Sequence, residues 1–364
     1  MFGCCGILWL FWDRFKKPKK KIFISADCWL SVFELLPPSQ LGLGIAMISH
    51  RFDCYADEHF KTRRWALKSM QIGSKIGKNG TKEMKIVNSK WKPSPIPEKP
   101  LPTKVVGFEA ISIRYIDRNA IAFLGHFRPL FDSFCPIKLS IQTNNDRILK
   151  FILHNIWPMF GKNIHRLELT VGFFHRLRKF VPSILNDCPS LHVLTIHVIN
   201  FFIEFPADDS ATASDGQSVV KWLFTPLQND APKVLKCAWD LDAVNLPSKI
   251  AAFKAAFASA SSPVNFIVIV WFRPLPFADP VVPFVLTNQL TREQLALKRI
   301  DDNCTRFVLI RCPIVRDADK WAKWEEEAIG YHQWNQIGIE MNDEDNIGDG
   351  LLDAIRGPSD QQQK

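Results

Sequence analysis

The chain has 364 residues, 47% of them hydrophobic and 23% charged, with a mean hydropathy of −0.04 and a formal net charge of +9. That balance describes a soluble globular chain of two or so domains and excludes a disordered one. Its nine cysteines are scattered without a CxxC pair, and their odd number argues against a secreted disulfide framework, so a reducing compartment, cytoplasm and/or nucleus, is expected. Asn79-Gly80-Thr81 and Asn303-Cys304-Thr305 match the glycosylation pattern but carry no weight without a secretory route.

Residues 1–21 read as a tail. Its first twelve, MFGCCGILWLFW, are apolar but fall short of the ~20 residues a spanning helix needs. The basic run Lys16 to Lys21 follows the apolar run, the reverse of a secretory signal. Cys4 and Cys5 beside both features would suit acylation and a hold on a membrane surface. The same lysines would equally suit nuclear import, and a plain disordered tail requires neither.

From Ile22 the chain turns helical. Ser25-Ala26-Asp27 opens a helix with Trp29, Leu30, Phe33 and Leu36 on one stripe, and Leu36-Pro37-Pro38 stops it. A second helix is expected after Ser39, carrying Leu41, Ile45 and Ile48, and a third turn or helix leads to Trp65. A segment of about 45 residues this apolar usually needs a partner, although an ordinary three-helix core segment is the plainer reading.

The order Ile24, helix Asp27 to Leu35, Leu36-Pro37, Leu41, Ile48-Ser49-His50-Arg51-Phe52 and Trp65 resembles the F-box. Ser25 departs from it by standing where proline is common. His50-Arg51-Phe52-Asp53 with Asp57-Glu58-His59-Phe60 is similar to the expanded nematode F-box families. The resemblance covers residues 22–66. It implies a substrate adaptor of a Skp/cullin/F-box ubiquitin ligase, with Leu36, Pro37, Leu41, Ile45, Ile48 and Phe52 forming the surface, and its supporting core, that docks on a Skp-type linker.

Residues 67–104 read as a hairpin and a basic, proline-rich spacer. Ala66 to Ile72 and Glu83 to Val87 are strand-like around Asn79-Gly80, and five prolines between Pro93 and Pro102 predict a stiff extended connection. Lys61 to Lys104 holds twelve Lys/Arg against two Glu. The alternative function rests there: a basic module for nucleic acid or an acidic membrane surface, against which a solvated linker is the commoner explanation.

From 105 to 341 the pattern apolar-x-x-apolar-x-apolar recurs at Phe108/Ile111/Ile113, Pro136/Leu139/Ile141, Ile164/Leu167/Leu169 and Leu191/Leu194/Ile196, spaced 28, 28 and 27 residues. It continues less cleanly at Val234/Cys237/Trp239, Val264/Ile267/Ile269 and Cys304/Phe307/Leu309. Helices are expected between these strands at Asn119–Phe131, Arg147–Met159, Phe174–Leu185, near Gln217–Leu223, at Ser248–Ala258 and at Thr291–Leu297, the last supported by a Thr291/Gln294 capping box. Leu185 to Ile196, with its Cys188-Pro189 turn, resembles the leucine-rich repeat often joined to an F-box. The usual Asn or Cys after the strand is present as Asn144 but is Ile116, Gly172 and Ile199 in neighbouring repeats. The expected fold is therefore α/β, a small helical F-box followed by a degenerate leucine-rich-repeat-like solenoid, with a mixed-sheet F-box-associated domain as the alternative.

An insertion at Asp208 to Gly216 is expected as a loop on one face. Asp317–Ile329 reads as a closing helix, Gln336–Met341 as a last strand, and 342–364 as an acidic disordered tail.

Catalytic patterns are missing. Gly42-Leu43-Gly44 lacks the third glycine of a dinucleotide loop, Gly161-Lys162 lacks the upstream glycine of a phosphate loop, and no GxSxG, HExxH or EF-hand loop occurs. No catalytic, cofactor or metal site is assigned. Because buried leucines hold the core of a repeat, their neighbours Arg114, Lys138, Arg166, Glu168, Thr195 and His197 are the candidates for reading an unknown target protein.

Overall fold

The computed structural model describes residues 24–36, 41, 45–62, 65–77, 82–88, 93–94, 105–132, 136–197, 203–240, 246–273, 282–301, 306–330 and 335–353. The chain divides into two units, residues 1–65 and 66–364.

In the first unit Ser25 is extended and its hydroxyl accepts from the Cys28 N–H at 3.4 Å, so helix α1, Ala26–Phe33, starts where the capping residue predicts. Ser49 does the same for α2, His50–Thr62, by accepting from the Phe52 N–H at 3.4 Å. Phe33, Leu41 and Ala56 are buried at the centre, with Trp29, Leu30, Leu36, Ile45 and Phe52 packed on them. Trp29 meets Phe52 edge-on with ring centroids 4.7 Å apart. Where the second helix is expected, Leu41 and Ile45 are helical with π-type bonding, and a 3₁₀ turn, Ala46–Ile48, follows directly, separated from α2 by Ser49.

The second unit is mixed α/β. Its strands are β1 (Trp65–Leu67), β2 (Met70–Ile76), β3 (Lys82–Asn88), β4 (Pro93–Ser94), β5 (Val105–Phe108), β6 (Ala110–Ile113), β7 (Ile137–Gln142), β8 (Ile164–Thr170), β9 (Val193–His197), β10 (Lys233–Asp240), β11 (Phe266–Arg273), β12 (Phe284–Asn288), β13 (Glu293–Arg299), β14 (Arg306–Pro313) and β15 (Gln336–Glu340). β1 pairs with β5, and the other thirteen form one sheet in the order β12-β13-β14-β11-β10-β9-β8-β7-β15-β6-β2-β3-β4. From β2 through β6, β15, β7, β8, β9 and β10 to β11 every pairing is parallel. Antiparallel strands finish both ends.

Several of the helices that follow repeat strands start on their own polar cap. Asp117 starts α3 (Arg118–Gly125), which breaks before α4 (Arg128–Asp132). Asn145 starts α5 (Asp146–Phe151), and a π turn and a 3₁₀ turn extend it to Met159. Thr170 starts α6 (Val171–Phe180), and Ser214 with Gln217 forms a capping box on α7 (Asp215–Leu223). α8 spans Leu246–Ala258, and Asp317 starts α9 (Ala318–Ile329).

The main core lies between α3–α8 and one face of the sheet, where Ile111, Ile337, Leu139, Leu167, Leu194, Leu235 and Val268 stand side by side. A smaller core lies on the opposite face. There Trp321 and Ala328 of α9 cover Val193, Val234, Ile267, Ile269, Val308 and Ile310. The sheet is thus sandwiched at its β10-β11-β14 end, whereas across β6, β15, β7 and β8 that second face carries only polar or small side chains.

Several sequence expectations are corrected. The repeats do not stack as an uninterrupted solenoid: β15, from near the C-terminus, inserts between β6 and β7, and the sheet is mixed. Thr291–Leu297 is not a helix. Arg292 adopts φ 56 in a hairpin turn whose Leu290 and Thr291 N–H groups donate to the Asn288 side chain, and Glu293 is buried in β13. In β11 the residues facing the main core are Phe266, Val268 and Val270, not Val264/Ile267/Ile269 as a set; the strand is buried on both faces, so its continuous apolar run has no period to read.

The hairpin β2–β3 belongs to the sheet, and β4 pairs with β3, so 89–104 connects strands inside the second unit; the remaining prolines lie outside the described residues. Residues 343–353, expected to be disordered, are folded back instead. Ile347 bridges Ile116, Lys82 Nζ lies 3.3 Å from Asp345 Oδ2, and Arg147 pairs with Glu344.

Candidate functional site

The register places the open face in rows. Because neighbours across a ladder share a face, one row runs Ser112, Gly338, Ser140, Glu168, Thr195 and Lys236, then turns apolar at Ile269 and Val308 where α9 begins its cover. The next row runs Lys138, Arg166, Val193 and Val234.

Where the polar rows meet the end of α9 there is a cavity of ≈ 420 Å³. Lys138, Arg166, Glu168, Thr195, His197 and Lys236 line it, with Val193, Ala238, Trp271 and Ile329 as apolar walls. Five of the six sequence candidates on the sheet thus stand together. The sixth, Arg114, pairs with Glu340 at 2.9 Å, and Glu340 lines an adjoining cavity of ≈ 380 Å³ that shares Lys138, Glu168 and His197 with the first.

Glu168 is the hub of this face. Lys138 Nζ lies 2.5 Å from its Oε2, and His197 Nε2 bonds its Oε1. Burial acts to raise the Glu168 carboxyl, but the hydrogen bonds and charges of Lys138 and His197 outweigh it and hold the group below its ordinary range. Lys236 donates to the Gly330 carbonyl at 3.2 Å, at the C-terminal end of α9. Burial, assisted by Arg166 and Lys138 and opposed by Glu168, pushes its ammonium down to about 8.

Arg166 is lowered by burial and partly restored by Glu327. No hydrogen bond or ion pair of its guanidinium occurs among the described residues, and the side chain lines the cavity. His192, between β8 and β10 at the base of this row, is pushed down to about 4 by burial first and by Arg166 and His165 after that.

Lys236 and Trp271 escaped the sequence reading. Lys236 sits in the strand Lys233-Val-Leu-Lys-Cys with both faces largely buried, so alternation within it gave no usable signal; Trp271 ends a run with no alternation at all.

His197 and Glu168 form an acid–base pair, yet no hydroxyl or thiol bonds His197 among the described residues. Burial raises the Cys188 thiol to about 12, which leaves it protonated. No group of three His, Cys, Asp or Glu residues suited to a metal occurs among the described residues, and none of their helices is long and apolar enough to cross a membrane.

The inserted segment 208–214 lies elsewhere. Arg178, nearly buried on α6, donates to Ser210 O and Ala213 O and pairs with Asp215, pinning the loop against the helical layer.

In the first unit the candidate docking residues divide in two. Leu41 is 1% exposed, and Leu36, Ile45 and Phe52 are half-buried around it, whereas Ile48 is 63% exposed. Pro37 lies outside the described residues. Leu35 and Met47, which the sequence reading passed over, are 84% and 80% exposed.

No family model, curated protein or solved structure matches this chain.

Proposed function

We propose that the protein is a non-catalytic adaptor, an F-box joined to a repeat-derived target-binding domain. Its helical unit docks on a Skp-type linker of a cullin ubiquitin ligase, and the groove across β6 to β10 holds a target protein. The observation that carries the docking half is the exposure of Leu35, Met47 and Ile48 on a unit of which only Phe33, Leu41, Ala56 and His59 are buried among its described residues. Large apolar side chains left in water on so small a unit mark an interface, and their positions fall within the F-box resemblance. The target half draws on the strand–helix repeat and on five reader candidates lining one cavity.

Co-precipitation of the full chain with a Skp-type linker and cullin tests the proposal. The intact chain recovers both, and the Met47→Asp/Ile48→Asp variant recovers neither. A chain that recovers no linker refutes the adaptor reading.

A further inference from the structure

Arg311 leaves one of its nitrogens unpaired. Its side chain is 0% exposed; Nε and Nη2 donate to Glu293, and Nη2 also donates to the Ser262 carbonyl at 2.9 Å, but Nη1 is buried with no hydrogen-bond partner. Buried donors are as a rule paired, so an unpaired one beside a cavity points to an acceptor that comes from outside the chain.

Arg311 lines such a cavity. An open groove of ≈ 750 Å³ runs along the C-terminal half of α8 beside residues 205–207, on the helix-covered side of the sheet and so across it from the polar face. Ala252, Ala255 and Ala256 of α8 with Phe205, Pro206 and Phe224 make its lining largely apolar. The volume suits a drug-sized molecule.

The bonds already made decide the chemistry of the occupant. Arg311 and Glu293 cancel in charge, so a carboxylate buried here would be left uncompensated, whereas a neutral oxygen adds a bond and no charge. The carbonyls at the end of α8 are in use: Ser259 Oγ donates to Ala256 O, and Asn288 Nδ2 donates to Phe257 O and Ala260 O. A peptide brings an N–H with each carbonyl and would need acceptors that this wall has already spent. Nη1 lies just under the groove surface, so seating an oxygen on it takes a side-chain shift of the kind common on binding.

We propose that this groove binds a small, uncharged, apolar molecule carrying a carbonyl oxygen, which accepts from Arg311 Nη1 while the apolar body lies along the alanines of α8. The site is separate from the docking and target surfaces of the adaptor reading and does not depend on it.

The test is ligand-observed NMR titration of the full chain with matched pairs that differ only in C=O against CH2: acetophenone with ethylbenzene, benzophenone with diphenylmethane, and fluorenone with fluorene. At least one ketone binds saturably, about fivefold or more tighter than its hydrocarbon. Ala255→Trp and Ala252→Trp, changes at exposed positions of α8, fill the groove and abolish that binding while helicity and the unfolding midpoint stay at the parent level. The ketone preference survives Ser259→Ala/Ser261→Ala/Ser262→Ala, which leaves Arg311 as the donor. No saturable binding by any ketone, equal binding by the hydrocarbons, benzoate binding more tightly than acetophenone, loss of the preference in the serine variant, or full binding by the folded Trp variants each overturns the proposal. A parent chain that sediments as a dimer and becomes a monomer on Ala255→Trp overturns it as well, since the groove would then be a contact between copies.

Discussion

Arg311 and Glu293 form an ion pair at 2.6 Å with 0% and 1% of their side chains exposed. Glu293 also accepts from the Val264 N–H at 2.7 Å, and Arg311 stacks between Phe224 and Phe257, 5.4 and 5.3 Å from their ring centroids. The pair joins β13 to β14 and ties both to the chain ahead of β11. Removing one partner strands the other charge, so Arg311→Met is expected to cost about 3–5 kcal/mol by denaturant unfolding. Replacing both with Met and Leu is expected to cost less than that single change. A single variant as stable as the parent would show that the pair contributes nothing.

Core and docking roles in the helical unit separate by burial. Leu41→Ala empties a fully buried site and is expected to destabilise that unit by about 2–4 kcal/mol. Leu35→Asp and Ile48→Asp change exposed positions, so helicity by circular dichroism stays at the parent level. Loss of helicity in the two Asp variants would mean that these side chains are structural.

The C-terminal strand is integral to the sheet. Ile337 and Ile339 are 1% and 0% exposed, and β15 bonds β6 on one side and β7 on the other. Truncation after residue 334 leaves those two strands without their shared partner and is expected to abolish cooperative unfolding. Truncation after Asn342 removes Glu344 and Asp345, the partners of Arg147 and Lys82, and is expected to cost about 1–3 kcal/mol. A cooperative melt from the shorter chain would contradict the inserted-strand topology. For the same reason fragment 66–364 is expected to melt above fragment 105–364, which lacks the β2 neighbour of β6.

Acid sensitivity is expected to come in part from His192. Its folded pKa of about 4 lies below the unfolded value near 6.5, so between those values the unfolded chain binds the extra proton and stability falls as pH drops. His192→Gln is expected to recover about 1–3 kcal/mol of the stability lost between pH 7 and pH 4.5. An unchanged pH profile would place the sensitivity elsewhere.

What the sequence disclosed follows from how each element is stabilised. The strands at Leu139, Leu167 and Leu194 alternate because one face is buried and the other open, and the same alternation singled out Lys138, Arg166, Glu168 and Thr195. β11 did not alternate because α9 covers its second face, which also hid Trp271. The turn at Thr291 imitates a helix cap, and only the buried Glu293 partner of Arg311 decides for a hairpin; that contact spans 18 residues. The insertion of β15 is a long-range pairing with no local signal, and the docking of 343–353 depends on Lys82 and Arg147, far away in the chain.

The central claim is tested most directly by calorimetric titration of the full-length chain with a purified Skp-type linker. The account predicts one-to-one binding that Leu35→Asp/Ile48→Asp weakens by about 2 kcal/mol or more and that Arg166→Met/Lys236→Met leaves unchanged. Absence of binding by the folded parent chain, or equal binding by the Leu35/Ile48 variant, would contradict it.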